Sequence, residues 1–150
     1  MAMNRLVSYS KSDTFSLARQ LYCQLKNMVG KKALIIALEG PLGSGKTTFA
    51  KAFARTMGIT ETVLSPTFTL HSEYDQLDHI DLWRVEDPKE LLALGLEKMI
   101  QAKKIIIVEW AEKVKQLLLR YQDKARIIWV RLEYGDKENE RRISYEDFGH

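Results

Sequence analysis

The chain has 150 residues and a formal net charge of +3, and 45% of its residues are hydrophobic and 29% charged, which is ordinary for one globular domain spanning residues 1–150. This charge is too small to indicate direct nucleic-acid binding, and no apolar run approaches the roughly 20 residues that cross a membrane. Because the first residues also lack the apolar stretch of a signal peptide, we expect a cytoplasmic protein.

Helical and strand patterns alternate around a glycine-rich turn in the first part of the sequence. Residues 12–14 are of the capping type and predict the start of a helix that ends near Gly30. Cys23, the only cysteine, is expected to be buried or half-buried on this helix. Residues 33–38 are continuously apolar, which is typical of a strand buried on both faces. A second helix is predicted from the turn to Gly58.

The rest of the sequence adds strands and short helices. Residues 68–74 and 77–82 are predicted to form an antiparallel hairpin. Residues 87–90, Asp-Pro-Lys-Glu, predict a helix with Asp87 as its N-cap, which Gly95 then interrupts. A further helix is predicted between two later strands. These later strands cover residues 105–108 and 127–132, with a last one over 142–148. The whole pattern predicts an α/β fold with a central mixed, largely parallel sheet flanked by helices.

The sequence GPLGSGKT at residues 40–47 fits the full pattern G-x-x-x-x-G-K-[ST] of a phosphate-binding loop, or P-loop. Glycines let the backbone wrap around phosphate oxygens, and the following helix presents its N-terminus to the same oxygens. Lys46 can reach the β- and γ-phosphates, and the Thr47 hydroxyl can bind Mg²⁺. The sequence lacks the Asn-Lys-x-Asp segment of Ras-type GTPases, which favours ATP as the nucleotide.

Two carboxylates lie where predicted strands end. Glu109 follows the strand over residues 105–108, at the place of the magnesium-associated aspartate of P-loop ATPases. Its longer side chain allows either direct ligation or contact through a water molecule. Asp81 lies in the second strand of the predicted hairpin, where it can share the magnesium shell or orient the attacking water. Spacing alone does not separate this role from that of a solvated strand-end acid.

Three other features have simpler explanations beside functional ones. Residues 65–67, Ser-Pro-Thr, lie where many P-loop proteins sense the γ-phosphate, but a rigid turn explains the same residues. His79 is interpreted as a packed or exposed residue without a catalytic role. Trp110 is interpreted as a packing residue that borders the site, because it directly follows Glu109.

Five segments occur in an order that resembles one family. They are GPLGSGKTT (40–48), SPTFTLHSEY (65–74), HIDLWR (79–84), EDPKELLALGLE (86–97) and IIIVEWAEK (105–113). Together they resemble the TsaE (YjeE) family, the small bacterial ATPases of tRNA threonylcarbamoyladenosine synthesis. The P-loop alone is generic, whereas the combination is specific. Trp83 departs from the usual tyrosine of the family and Ala111 from its usual proline.

The resemblance implies a weak ATPase that uses ATP and Mg²⁺. It also implies that the protein works with the partner proteins TsaD and TsaB and meets tRNA only through their complex. Lys46, Asp81 and Glu109 are then the expected catalytic residues, and Thr47, Asp81 and Glu109 the expected magnesium site. The expected nucleotide-binding residues are Thr14, Gly43, Ser44, Gly45, Lys46, Thr47, Thr48 and Thr67.

Two other functions remain open from the sequence. A small-molecule kinase would transfer the γ-phosphate of ATP, and kinases of this size usually need an arginine-rich lid that excludes water. Arg141 and Arg142 are the only adjacent arginines, and they lie in a polar tail, which gives such a lid little support. The second alternative is a binding switch that responds to ATP without hydrolysing it.

Overall fold

The computed structural model describes residues 3–59 and 70–148, with side chains from Arg5 onward. The strands are β1 (Met3–Ser8), β2 (Ala33–Glu39), β3 (His71–Glu73), β4 (Leu77–Asp81), β5 (Ile105–Glu109), β6 (Ala125–Tyr134) and β7 (Arg141–Asp147). The helices are α1 (Lys11–Leu25), α2 (Lys46–Thr56), α3 (Lys89–Ala93), α4 (Leu96–Gln101) and α5 (Lys115–Leu119), with 3₁₀ turns at Lys26–Met28 and Ala111–Val114. None of these helices has the length and apolar character needed to span a bilayer.

All seven described strands form one mixed sheet in the order β1-β7-β6-β2-β5-β4-β3. β2 lies in the middle and is parallel to β5 and β6, and β5 is parallel to β4. The pairs β3–β4, β6–β7 and β1–β7 are antiparallel. The predicted mixed sheet and its hairpin are therefore confirmed. The parallel register also brings the carboxyl ends of β2, β4 and β5 to one edge of the sheet.

The core lies on both faces of the sheet, because alternate residues of a buried strand point to opposite sides. Ile36 belongs to the apolar cluster beneath α1 and α2, and its neighbour Ile35 to the cluster beneath α3, α4 and α5. On the first side, the Phe53 ring of α2 meets the Tyr22 ring of α1 edge to face, with centroids 5.5 Å apart. This packing holds α2 against the middle of the sheet.

The N-terminal part differs from the sequence prediction. α1 is capped by Ser10, two residues earlier than expected, because the Ser10 hydroxyl accepts the Asp13 N–H at 3.1 Å. β1 was not predicted, since it is a short edge strand with no continuous apolar run. Cys23 is exposed, so its predicted burial is wrong. It lies off the buried stripe of α1, which consists of Thr14, Ala18, Leu21 and Leu25.

The middle of the chain agrees more closely with its prediction. The Asp87 carboxylate accepts the Lys89 N–H at 2.9 Å, but α3 begins at Lys89 and its N-cap is Pro88, one residue later than predicted. Gly95, with φ of +97°, separates α3 from α4 as expected, because positive φ favours glycine. Residues 65–67, including the predicted nucleotide contact Thr67, lie outside the described residues.

Candidate functional site

The glycine-rich loop leaves the carboxyl end of β2 and enters α2 at the middle of the sheet. Gly43 and Gly45 have φ of +79° and +104°, which other residues rarely adopt. Gly40 is needed for space, since a Cβ there would lie 2.4 Å from the Leu132 carbonyl oxygen. The Ser44 Oγ atom is buried and has no hydrogen-bond partner within the described part of the chain. The backbone of the loop is therefore tightly packed, and it encloses the buried Ser44 Oγ atom.

Lys46 points its ammonium back into this loop. Its Nζ atom donates to the Gly40 carbonyl and, at 2.9 Å, to the Pro41 carbonyl, and it lies 3.9 Å from the centre of the Trp110 ring. Burial lowers the pKa of Lys46, and the nearby carboxylates of Glu112, Glu109 and Asp81 act in the opposite direction. The loop thus holds a buried cation beside its backbone. Trp110 borders the site, as expected.

Thr47 connects the start of α2 to the end of β5. Its hydroxyl donates to Glu109 Oε1 at 2.8 Å, and the other carboxylate oxygen, Oε2, lies 2.5 Å from His79 Nε2. Glu109 and His79 are each only 1% exposed. Asp81 is the partner of Glu109 in the β4–β5 register. The structure therefore brings together Thr47, Asp81 and Glu109, the three residues predicted to bind magnesium.

Asp81 is held by the turn that follows β4. Its Oδ1 atom accepts the Trp83 N–H at 3.0 Å. Burial and the charge of Glu109 raise the pKa of Asp81, although the Trp83 hydrogen bond, His79 and Lys46 oppose the rise. Two buried carboxylates and a hydroxyl are hard oxygen donors of the kind that Mg²⁺ prefers. The donor set therefore fits a magnesium ion.

A cavity of about 340 Å³ lies beside the P-loop. The N-terminal end of α1, including Thr14, lines one part of it. The Thr14 Oγ1 atom itself lies 2.7 Å from Ser8 Oγ, which ties α1 to β1. The predicted nucleotide contacts that line the cavity are Thr14, Gly43, Ser44, Gly45 and Thr48. The cavity thus continues from the P-loop towards α1.

The structure confirms that His79 is packed, since it is buried, and it also places His79 against Glu109, a contact that was not predicted. The alternation of β4 explains the contact, because residues two apart in a strand share a face and Asp81 is two residues later. The signal was therefore present in the His-Ile-Asp sequence. Only the β4–β5 register, however, shows that Glu109 lies on the same face of the sheet as His79 and Asp81.

Lys113 was missed by sequence reasoning. Its ammonium donates to the carbonyl oxygens of Leu82, Trp83 and Val85 at 3.0, 2.5 and 3.2 Å. These carbonyls belong to the turn whose N–H group binds Asp81. A lysine thirty residues away holds this turn, and no local pattern in the sequence could indicate it.

The β6–β7 hairpin also reaches the site, although Arg141 and Arg142 were expected to lie in a polar tail. The Tyr134 hydroxyl donates to the Leu42 carbonyl, and Arg141 Nη2 donates to the Gly43 carbonyl at 3.2 Å. Arg142, the next residue along, pairs instead with the exposed Asp136 at 3.0 Å. Only one of the two adjacent arginines therefore meets the P-loop.

A central strand that ends in a glycine-rich loop, a helix that begins at that loop and carboxylates on the adjacent parallel strands are typical of the phosphate-loop class of α/β proteins. Known proteins place the chain more narrowly. The family described as "Threonylcarbamoyl adenosine biosynthesis protein TsaE" matches residues 8–143. The chain belongs to the TsaE family.

Relatives in this family are similar to the chain in sequence over most of its length. The chain is 42% identical over 110 residues to the Bacillus subtilis tRNA threonylcarbamoyladenosine biosynthesis protein TsaE, covering 71% of this chain and 66% of that protein. The Nostoc protein of the same name is 40% identical, covering 69% and 64%. The matches therefore span just under two thirds of these two relatives. The Aquifex aeolicus protein of the same name is 35% identical over 149 residues, covering 94% of both chains.

A solved structure has the same fold. The crystal structure of Bacillus subtilis YdiB superposes with a TM-score of 0.74 and 28% sequence identity. The match covers 99% of this chain and 87% of that one. The described β1, which was not predicted, and β7, which was predicted over residues 142–148, thus fall within a chain-long likeness.

Proposed function

We propose that this protein binds ATP with Mg²⁺ and hydrolyses it as an accessory protein in tRNA threonylcarbamoyladenosine biosynthesis, acting with TsaD and TsaB. The observation that carries the proposal is the contact between Thr47 at the P-loop and the buried Glu109. It joins the predicted phosphate site to a predicted magnesium and water site. Membership of the TsaE family supports the pathway.

The P-loop backbone and Lys46 bind the phosphates. Backbone N–H groups at the start of α2 and the Ser44 hydroxyl offer donors to phosphate oxygens. Lys46 exchanges its hydrogen bonds to the Gly40 and Pro41 carbonyls for bonds to the phosphates. Because the ammonium is already beside the loop, little chain movement is needed.

Thr47, Asp81 and Glu109 would hold the magnesium ion directly or through water. When bound, the ion neutralises charge on the phosphates as they separate. His79 and Thr47 engage both oxygens of Glu109 and so fix the carboxylate plane. The Trp83 N–H fixes Asp81, whose other oxygen can orient a water molecule. Burial of both acids keeps bulk water from competing with that water.

The decisive experiment measures ADP formation by the purified protein alone, with TsaD and TsaB, and with candidate small-molecule acceptors. We expect slow turnover alone and faster turnover when both partners are present. Lys46→Ala is the control that should abolish the reaction under every condition. ADP formation that is the same with and without both partners but requires a small-molecule phosphate acceptor would identify a kinase. Tight ATP binding without turnover, even beside the partners, would identify a binding switch.

A further inference from the structure

Two side chains of the β6–β7 hairpin form hydrogen bonds with the P-loop. Tyr134 ends β6 and Arg141 begins β7, and the two are partners in the strand register. The guanidinium carbon of Arg141 lies 5.0 Å from the centre of the Tyr134 ring. Tyr134 then binds the Leu42 carbonyl, and Arg141 binds the carbonyl of the next residue, Gly43. Two consecutive peptide groups of the loop are thus held from one side.

Arg141 is itself held in place by the hairpin. Its Nη1 atom donates to the carbonyl oxygens of Glu138 and Glu140, both at 2.9 Å. Its Nη2 atom is the one that reaches the P-loop. With one nitrogen bound to its own turn and its central carbon over the Tyr134 ring, the guanidinium is held in place.

These two hydrogen bonds determine which way the loop N–H groups point. The described chain contains no cis peptide bond, and in a planar trans peptide the carbonyl and the next N–H point in opposite directions. Holding the Leu42 carbonyl therefore turns the Gly43 N–H away from the hairpin. Holding the Gly43 carbonyl does the same for the Ser44 N–H.

The position of the Ser44 N–H agrees with this inference. It donates to the Pro41 carbonyl at 3.1 Å, and the same oxygen accepts from Lys46 Nζ at 2.9 Å. The N–H group and the ammonium thus converge on one spot inside the loop. Both donors are occupied by the Pro41 carbonyl, which a phosphate oxygen would replace as their acceptor.

We infer that Tyr134 and Arg141 are positioning residues that preorganise the P-loop for the phosphates of a nucleoside diphosphate or triphosphate. This inference rests on the proposed nucleotide binding and adds a second element, the β6–β7 hairpin, to the site. The two side chains act through the Leu42 and Gly43 carbonyls. They therefore support the phosphates common to ADP and ATP and have no special role at the γ-phosphate.

The hairpin also forms part of the cavity wall. Asn139 and Arg141 line the cavity from one side, while Tyr9 and Lys11 line it from the start of α1. A nucleotide bound to the loop would therefore lie between the hairpin and α1. Its binding would stabilise the contact that the hairpin makes with the loop.

The test uses calorimetric Kd values for ADP and ATP with Mg²⁺, together with kcat at saturating ATP. The variants are Tyr134→Phe, which removes only a hydroxyl, and Arg141→Met. Tyr145→Phe and Arg142→Met are matched controls, because the Tyr145 hydroxyl contacts Gln24 and Arg142 pairs with Asp136, both away from the loop. Circular dichroism and thermal unfolding establish that every variant is folded.

We expect Kd for ADP and for ATP to rise together, by about three- to tenfold in each variant, because one hydrogen bond to the loop is lost. The rise in Kd for the double variant should be smaller than the product of the two single rises, because the two hydrogen bonds hold adjacent peptide groups. The Tyr145→Phe and Arg142→Met controls should match the wild type in Kd for both nucleotides and in kcat.

Wild-type affinity in both folded variants, beside a Lys46→Ala variant that no longer binds, would overturn the inference and leave the proposed function standing. Selective loss of ATP affinity together with a fall in kcat would also overturn it, because Arg141 would then act on the γ-phosphate. Failure of the wild type to bind either nucleotide would overturn the inference and the proposed function together.

Discussion

The Glu109 carboxylate is held from two sides by groups on different elements. Thr47 comes from the start of α2 and His79 from β4, so the carboxylate connects helix and sheet. Both oxygens have a hydrogen-bond partner in the chain, which fixes their direction before any ligand binds. A carboxylate fixed in this way can position a water molecule or a magnesium ligand without reorganisation.

The first prediction concerns this carboxylate. Glu109→Gln preserves the size of the side chain and removes its charge, so we expect ATP turnover to fall by about 100-fold. ATP binding should change much less, because Lys46 and the loop supply the phosphate contacts. Steady-state kinetics and calorimetry measure the two effects, with the exposed Glu86→Gln as control. Full turnover in the Glu109 variant would contradict its assigned role.

A second prediction concerns pH and Glu39, on the opposite face of the sheet. Burial tends to raise the pKa of Glu39, but hydrogen bonds from Trp129 and Arg131 outweigh it and lower the pKa below its ordinary 4.5. A lowered pKa means that the ionised group stabilises the fold above about pH 4.5, and that this contribution is lost as the pH falls further. Glu39→Gln should therefore cost about 1 kcal/mol at neutral pH.

Urea unfolding of the wild type and of Glu39→Gln across this pH range is the measurement. The difference in unfolding free energy between the wild type and the variant should be constant near neutral pH and should shrink as the pH falls below about 4.5. Glu138→Gln, at an exposed position in the β6–β7 turn, is the control. A difference that stayed constant with pH would refute the sign of the Glu39 effect.

The residues of the site divide into those that a sequence can indicate and those that it cannot. Lys46 and Thr47 follow from the loop pattern, and Glu109 follows from its place after an apolar strand. Lys113 and Arg141 do not, because each acts on a backbone carbonyl far away in the chain. Contacts of that kind depend on tertiary geometry and leave no local pattern.

At the scale of elements, α2 is placed by packing as much as by the P-loop. Its Phe49 and Phe53 rings are almost fully buried between α1 and the sheet. Continuous apolar runs identified the central strands correctly, because strands buried on both faces need them. The edge strand β1 has no such run, and its pairing with β7 depends on residues more than a hundred positions away.

The third prediction tests this packing. Phe53→Ala removes a fully buried ring that meets Tyr22 and leaves a cavity under α2, so we expect a loss of about 3–5 kcal/mol. Chemical denaturation measures the loss. Leu92→Ala, on the exposed side of α3, should change stability by less than about 0.5 kcal/mol. Equal effects of the two substitutions would contradict the core described for α2.

For the molecule as a whole, nucleotide binding should stabilise the fold, because the cavity draws on α1, the P-loop and the β6–β7 hairpin. With ATP at about 100 times its Kd, we expect roughly 2.7 kcal/mol of added stability and a rise in Tm of roughly 5–10 °C. Thermal unfolding with increasing ATP and Mg²⁺ measures the rise. Lys46→Ala should lose it, and an equal rise in that variant would mean that ATP binds elsewhere.

The pairing of β1 with β7 has a consequence for how the protein is made. The edge strand β1 pairs with β7, whose residues are synthesised more than a hundred positions later. Loops that close over such long separations form slowly, and domains complete their folding after synthesis reaches their end. We expect ribosome-bound chains that stop before β7 to retain little nucleotide, which crosslinking to a photoreactive ATP would measure. Newly made chains would thus acquire their nucleotide only after β7 has been synthesised and has paired with β1.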